Sequence, residues 1–198
     1  LAWSSNEYWT NDYSEYCNES PVAEDMNIVV DEDTDYSGIF AGSDIDGDSL
    51  ISLIVTEPSN GSVNQTIELD SNFTYIPDTN FFGEDLFAYM IYDGRDSSDA
   101  AMVSILIHPI NDAPVVESDS TIILAEDSSA EFVMFGFDVD DDDLEYEIVR
   151  YPSYGEYDGI TFTPYPDYFG YDTLSYVAID TSDAESESAT VSFIIESV

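Results

Sequence analysis

Two short acidic runs have the residue types and spacing of a cation site. Residues 44–48 read Asp-Ile-Asp-Gly-Asp, and residues 138–142 read Asp-Val-Asp-Asp-Asp. Calcium is a hard ion that gathers about six to eight oxygens at about 2.3–2.6 Å. Alternate aspartates on a tight loop can aim carboxylates at one point: Asp44, Asp46 and Asp48 in the first run, Asp138, Asp140 and Asp142 in the second. Gly47 permits the sharp turn that such a loop needs. The competing reading is compositional. Aspartate and glutamate supply 44 of the 198 residues, so an Asp-x-Asp arises often by chance. Aspartate also favours turns for its own hydrogen-bonding reasons.

The same composition excludes several functions. Arg95 and Arg150 are the two basic side chains besides a single histidine, lysine is absent, and the formal net charge is −42. Nucleic acid is excluded as a partner, because its phosphates need basic groups to release their counterions. Anionic membrane surfaces are excluded for the same reason, and no run of about 18 apolar residues predicts membrane insertion. A charge this large usually signals disorder. Here hydrophobic residues make up 43% of the chain and aromatics 14%, enough to bury a core. The self-repulsion must then be relieved by salt or bound cations, which suits an extracellular or cell-surface setting. No signal peptide is read, and Leu1 fits a mature N-terminus after processing. Cys17 is the single cysteine, a free thiol or a cross-link to another chain.

Catalytic patterns are not found. His108 stands beside Pro109, Cys17 has no histidine nearby in sequence, no second histidine exists, and no zinc spacing, phosphate loop or nucleophile elbow occurs. The expectation is that the chain is not an enzyme.

Strands must position the acidic runs. Short β-branched and aromatic stretches recur, bounded by Gly, Pro, Asn, Asp and Ser. In the first half they predict strands over 26–30, 36–40, 50–56, 62–67, 72–76, 85–93 and 100–107. Phe87, Tyr89 and Ile91 alternate with Ala88, Met90 and Tyr92, so both faces suit a central strand. Seven short strands are what an immunoglobulin-like sandwich uses.

The second half repeats the first, landmark by landmark. Pro21-Val22 corresponds to Pro114-Val115, Glu32-Asp33 to Glu126-Asp127, and Asp44-Ile45-Asp46 to Asp138-Val139-Asp140. Pro58-Ser59-Asn60-Gly61 corresponds to Pro152-Ser153-Tyr154-Gly155, and Phe81-Phe82-Gly83 to Tyr168-Phe169-Gly170. Both acidic runs follow the second strand, and both Glu-Asp pairs precede it. This shared register favours the ligand reading over chance. The fold class expected is all-β: two tandem immunoglobulin/cadherin-like β-sandwich domains with an irregular N-terminal extension. The boundaries expected are 1–20, 21–110 and 111–198.

With Asn-Asp-Ala-Pro-Val at 111–115, Glu-Asp-Thr at 32–34, Asp-Ile-Asp-Gly-Asp at 44–48, Asn-Phe-Phe-Gly-Glu-Asp at 80–85 and Tyr-Asp-Gly at 92–94, the chain resembles the cadherin-like tandem repeats of bacterial adhesins and surface proteins. The resemblance spans residues 21–198. It implies a β-sandwich, Ca2+ at repeat junctions, and adhesion or extracellular scaffolding. It implies a junction site drawing on Glu32 and Asp93 upstream, Asn111 and Asp112 in the linker, and Asp138 and Asp140 downstream. Asp44, Asp46 and Asp48 would face an equivalent junction before the first repeat. The second repeat departs from the pattern at Asp140-Asp141-Asp142 and at Ile179-Asp180-Thr181.

Two aromatic regions remain. Residues 1–20 carry Trp3, Tyr8, Trp9, Tyr13 and Tyr16 beside Cys17, and match neither repeat. They read either as a disordered or clipped tail or as an assembly arm that docks on a neighbour as an added strand. Tyr151, Tyr154, Tyr157, Tyr165, Tyr168 and Tyr171 read either as partly buried packing or as a face that stacks on sugars or on another subunit. The function expected is a non-enzymatic, calcium-stiffened structural and adhesive module. It would build or extend a cell-surface fibre by head-to-tail self-association, or join neighbouring repeats of the same surface protein. The alternative is a carbohydrate- or ligand-binding module, free-standing or attached to a secreted enzyme.

Overall fold

A computed structural model describes residues 18–65, 71–116, 120–140 and 142–198. The chain divides into two units, Leu1–Ile110 and Asn111–Val198. All regular elements among the described residues are strands, and no helix there is long and apolar enough to cross a membrane.

Unit 1 contains β1 (Val22–Ala23), β2 (Met26–Asp31), β3 (Tyr36–Ile39), β4 (Gly42–Ser43), β5 (Ile51–Thr56), β6 (Gly61–Gln65), β7 (Asn72–Pro77), β8 (Gly83–Tyr92) and β9 (Ala101–His108). A four-stranded sheet in the order β2-β9-β8-β5 faces a three-stranded sheet β3-β7-β6. β2 runs parallel to β9, Met26 opposite Val103 and Asp31 opposite His108. The remaining pairs are antiparallel.

The sequence pattern accounts for the layering. In β9 the alternate residues Ala101, Val103, Ile105 and Ile107 are buried, and the residues between them are exposed. This period of two sends one edge of each strand to the core. β8 lies between β9 and β5, and Phe87, Ala88, Tyr89 and Ile91 are all buried on it, as its two apolar faces predict. Phe40 stacks on both Phe73 and Tyr89, with ring centroids 4.4 Å apart in each pair.

Unit 2 contains β10 (Val115–Val116), β11 (Ser120–Ala125), β12 (Ala130–Glu131), β13 (Gly136–Phe137), β14 (Glu145–Arg150), β15 (Gly155–Tyr157), β16 (Thr161–Pro164), β17 (Gly170–Ile179) and β18 (Ala189–Glu196). Its sheets repeat the topology, β11-β18-β17-β14 and β12-β16-β15, with β11 parallel to β18. Phe162 and Phe193 stack at 3.8 Å in its core. β15 and β16 form a short hairpin, Tyr157 opposite Phe162, where the second copy is the shorter one.

Two features of this core reach the acidic runs. Each unit has a small extra sheet, β1-β4 or β10-β13, that sequence reading missed because each strand is only two residues long. β4 and β13 lead directly into Asp44 and Asp138. The Tyr89 hydroxyl donates to Glu24 O at 2.7 Å and Ala41 O at 2.6 Å, so a core ring pins the segments on both sides of β1-β4. Burial pushes the Tyr89 phenol above its ordinary range, so it stays a donor at ordinary pH.

The repeated Pro-Ser-x-Gly and Gly-x-Asp landmarks have one structural cause. Asp85 is buried and accepts from Ser59 N and Asn60 N at 3.0 Å, Leu86 N at 2.8 Å and the Tyr75 hydroxyl at 2.8 Å. Asp172 repeats this with Ser153 N at 2.9 Å, Tyr154 N at 2.7 Å and Thr173 N at 2.8 Å. The glycine after each turn lies against an aromatic ring. A Cβ on Gly61 would stand 2.6 Å from Ile76 O, and one on Gly155 would strike the Phe162 ring.

Two outcomes follow. Gly155→Ala overpacks unit 2 by about 1–3 kcal/mol, a fall of roughly 4–8 °C per kcal/mol for a domain of this size, read by differential scanning calorimetry. Tyr89→Phe removes the hydroxyl's bonds to Glu24 O and Ala41 O and costs unit 1 about 1 kcal/mol, read the same way.

Candidate metal centre

At the N-terminal end of unit 1, three chain segments converge. They are the leading residues Asn18-Glu19, the β4–β5 loop with Asp44, Asp46 and Asp48, and the turn after β8 that begins at Asp93. Asp44 Oδ1 accepts from Asp46 N at 2.8 Å and Asp48 N at 3.3 Å, which curls the loop around its own first carboxylate. Gly47 takes a φ of 77°, a left-handed conformation that suits glycine. Asp46 Oδ2 accepts from Glu19 N at 2.7 Å. Asp93 Oδ1 accepts from Arg95 N at 2.6 Å and Asp96 N at 2.7 Å, and its Oδ2 accepts from Asn18 Nδ2 at 2.9 Å. Asn18 Nδ2 also reaches Asp96 Oδ2 at 2.9 Å.

Unit 2 repeats the central bonds of this arrangement. Asp138 Oδ1 accepts from Asp140 N at 2.8 Å. Asp140 Oδ2 accepts from Asp112 N at 2.8 Å. Asp180 Oδ2 accepts from Asn111 Nδ2 at 2.8 Å, and its Oδ1 accepts from Ser182 N and Ala184 N at 2.8 Å. Asp142 lies at the margin and accepts from the Thr181 hydroxyl at 2.9 Å. The departures seen in the second repeat leave this frame intact, since Asp180 occupies the role of Asp93 and Asp140 that of Asp46.

Each frame leaves oxygens over. Asn18 Oδ1 and Asp44 Oδ2 in unit 1, and Asp138 Oδ2 in unit 2, are buried and receive no hydrogen bond from the described residues. A buried anionic oxygen without a donor costs several kcal/mol. A cation removes that cost. The donors are all carboxylate or carboxamide oxygens, with no histidine or thiolate among them, which is the set calcium prefers. The residues therefore fit calcium.

Amide donors hold the two outer carboxylates ionised. The Asp96 amide, then those of Arg95 and Asn18, keep Asp93 below the usual carboxylate range against partial desolvation. The Asn111 carboxamide, then the amides of Ala184 and Ser182, do the same for Asp180.

Glu32, Glu126, Asp33 and Asp127 each have a hydrogen-bond partner within their own unit. Glu32 follows β2 at the His108 end of the sheet, is buried, and accepts from Ile110 N at 2.6 Å. Asp93 follows the far end of the ten-residue β8, roughly 30 Å away at ~3.3 Å per residue. One ion cannot bind both, so the upstream pairing of Glu32 with Asp93 is corrected: Asp93 belongs with Asp44 and Asp46. Glu126 matches Glu32 and accepts from Val198 N at 2.9 Å. Asp33 and Asp127 tie loops, accepting from Asn80 N at 3.1 Å and Asp167 N at 3.2 Å. Trp3, Tyr8, Trp9, Tyr13, Tyr16 and Cys17 lie outside the described residues.

Sequence reading missed Asn18, Glu19, Asp96 and Asp180. The signal was present: Asn18-Glu19-Ser20-Pro21 parallels Asn111-Asp112-Ala113-Pro114.

Comparison with known proteins identifies the family and the fold. The sequence family described as Bacterial Ig domain matches residues 18–106 and again residues 111–194. Integrin beta-like protein B of Dictyostelium discoideum is 24% identical over 183 residues, which are 86% of this chain and 9% of that relative. Human protocadherin-24 EC1-2 superposes with a TM-score of 0.59 at 13% identity, covering 91% of this chain and 100% of that one. Drosophila N-cadherin EC1-4 gives 0.54 at 15% identity, covering 88% and 49%. These structures share the fold. The chain belongs to the bacterial Ig domain family, which it matches in two tandem copies with a cadherin-like fold.

Proposed function

We propose that this chain is a non-enzymatic, extracellular structural and adhesive module whose two acidic frames bind calcium. One observation carries the reading. The same donor set is built twice, each time with a buried aspartate oxygen, Asp44 Oδ2 or Asp138 Oδ2, that no described residue serves. The second copy keeps the hydrogen-bonded frame while its sequence drifts. Bulk acidity alone does not explain such retention of geometry.

Calcium would supply charge neutralisation where carboxylates converge, and nothing redox or hydrolytic. The chain's own residues do the remaining work. Asn18 and Glu19, or Asn111 and Asp112, precede the first strand of their units and bond to the acidic loops. An ion held by those loops would fix the segment through which the chain enters each unit. A stiff linker of that kind suits a surface fibre or adhesin, extended by further repeats or by head-to-tail contact. In the same reading residues 1–20 dock on a neighbouring subunit. The adhesion reading also draws on the likeness to a relative named for integrin β.

Calcium at millimolar concentration should raise the melting temperature in high salt, where general repulsion is screened, and magnesium should not. Saturation at about 100 times Kd adds about 2.7 kcal/mol. Asp44→Asn should abolish the calcium shift of unit 1, and Asp138→Asn that of unit 2. Equal, weak responses to both ions would overturn the proposal. Acid gives a second check. Asp93 and Asp180 have lowered folded values, so their contribution is present above the unfolded carboxylate value of about 3.9 and is lost as pH falls through the folded ones. Melting temperature measured from pH 6 to pH 2 should fall mainly below about pH 4, and less steeply in Asp93→Asn.

A further inference from the structure

The two units share one loop frame and dress it with different side chains. The β14–β15 and β16–β17 connections meet at the end of unit 2 opposite its acidic frame. Tyr165 N donates to Tyr154 O at 2.8 Å and Tyr168 N to Tyr165 O at 3.1 Å. The matching bonds in unit 1, Asp78 N to Asn60 O at 2.9 Å and Phe81 N to Asp78 O at 3.1 Å, are the same. The buried Asp85 and Asp172 anchor both frames identically. On this common backbone unit 2 carries Tyr151 for Glu57, Tyr154 for Asn60, Tyr165 for Asp78, Tyr168 for Phe81 and Tyr171 for Glu84.

Unit 1 builds the frame without these tyrosines, so the fold does not require them. They are also not buried. Tyr151 is 65% exposed, Tyr171 73%, Tyr154 48% and Tyr165 47%. Tyr154 and Tyr168 stack at 4.4 Å with planes 5° apart, and the Tyr168 hydroxyl donates to Tyr171 O at 2.9 Å, which makes part of the surface rigid. Aromatic patches of this kind on a soluble domain mark interaction sites.

Charge selects the partner. The exchange removes Glu57, Asp78 and Glu84 at one spot of a chain whose net charge is −42. An anionic polymer is repelled by the rest of the molecule, with Arg150 alone beside Tyr151 to offset it. A second copy, with two arginines and no lysine, offers no complementary charge to this spot. The hydroxyls of Tyr151, Tyr154, Tyr165 and Tyr171 have no hydrogen-bond partner among the described residues. A neutral ligand with flat C–H faces and many hydroxyls satisfies both the rings and the phenols. We propose that this end of unit 2 binds a neutral glycan chain by stacking sugar rings on these tyrosines. The inference does not depend on calcium.

The full chain should be screened on neutral oligosaccharides, including β-glucan, mannan and chitin fragments, and the best binder titrated by calorimetry. Tyr154→Asn, Tyr165→Asp and Tyr171→Glu install the residues of unit 1, where the same frame folds, and circular dichroism checks that they do so here. Each should weaken binding at least tenfold. The proposal is overturned if no neutral glycan binds at millimolar concentration, or if binding survives all three substitutions. It is equally overturned if sedimentation shows a dimer that these substitutions dissolve, since the surface is then a self-contact.

Discussion

The structure depends on carboxylates that are brought together by backbone amides and left without a countercharge. Glu19 N and Asp112 N each donate to the second aspartate of an Asp-x-Asp loop, while Asn18 and Asn111 each clamp the aspartate that follows the longest strand of their unit. These bonds pull negative groups to one place in a chain with two arginines and no lysine. Amide donors can favour the ionised form of a carboxylate, but they cannot cancel the repulsion between carboxylates. A bound cation would supply the missing charge, which is what we propose calcium does.

The core is arranged to hold those loops still. Tyr89 sits fully inside unit 1, stacks on Phe40, and spends its hydroxyl on two carbonyls that flank the β1-β4 pair. Asp85 and Asp172 do comparable work at the opposite ends of their units, each satisfying a tight turn from within. Unit 1 thus has both ends anchored by buried polar groups, and in each unit the end opposite the acidic frame is anchored by a buried aspartate and free to vary outside it. In unit 2 that freedom appears as a tyrosine surface. Buried networks that are fully bonded specify one arrangement, which lets surface loops change without loss of fold.

Much of this was legible in the sequence, and the omissions have physical causes. Strands over 26–30, 72–76, 85–93 and 100–107 were read from alternation and turn residues, and the structure places strands there. The two-residue strands β1 and β4 are too short to show a period. Asn18 and Glu19 were overlooked because they stand next to an aromatic segment unlike either repeat, although Asn-x-x-Pro recurs at 111–114. Glu32 was grouped with Asp93 because a sequence does not reveal which end of a sheet a residue occupies. The parallel pairing of β2 with β9, strands far apart in the chain, sends Glu32 to the other end. Asp180 was passed over because its neighbours changed, while the bonds that define its role did not.

The most direct test is a crystal structure grown with calcium and analysed by anomalous scattering. The account predicts an ion in each unit within about 2.3–2.6 Å of Asp44 Oδ2 and Asp138 Oδ2, with the hydrogen bonds of Asn18 and Asn111 retained. Water at those oxygens in place of an ion, with calcium present in excess, would contradict it.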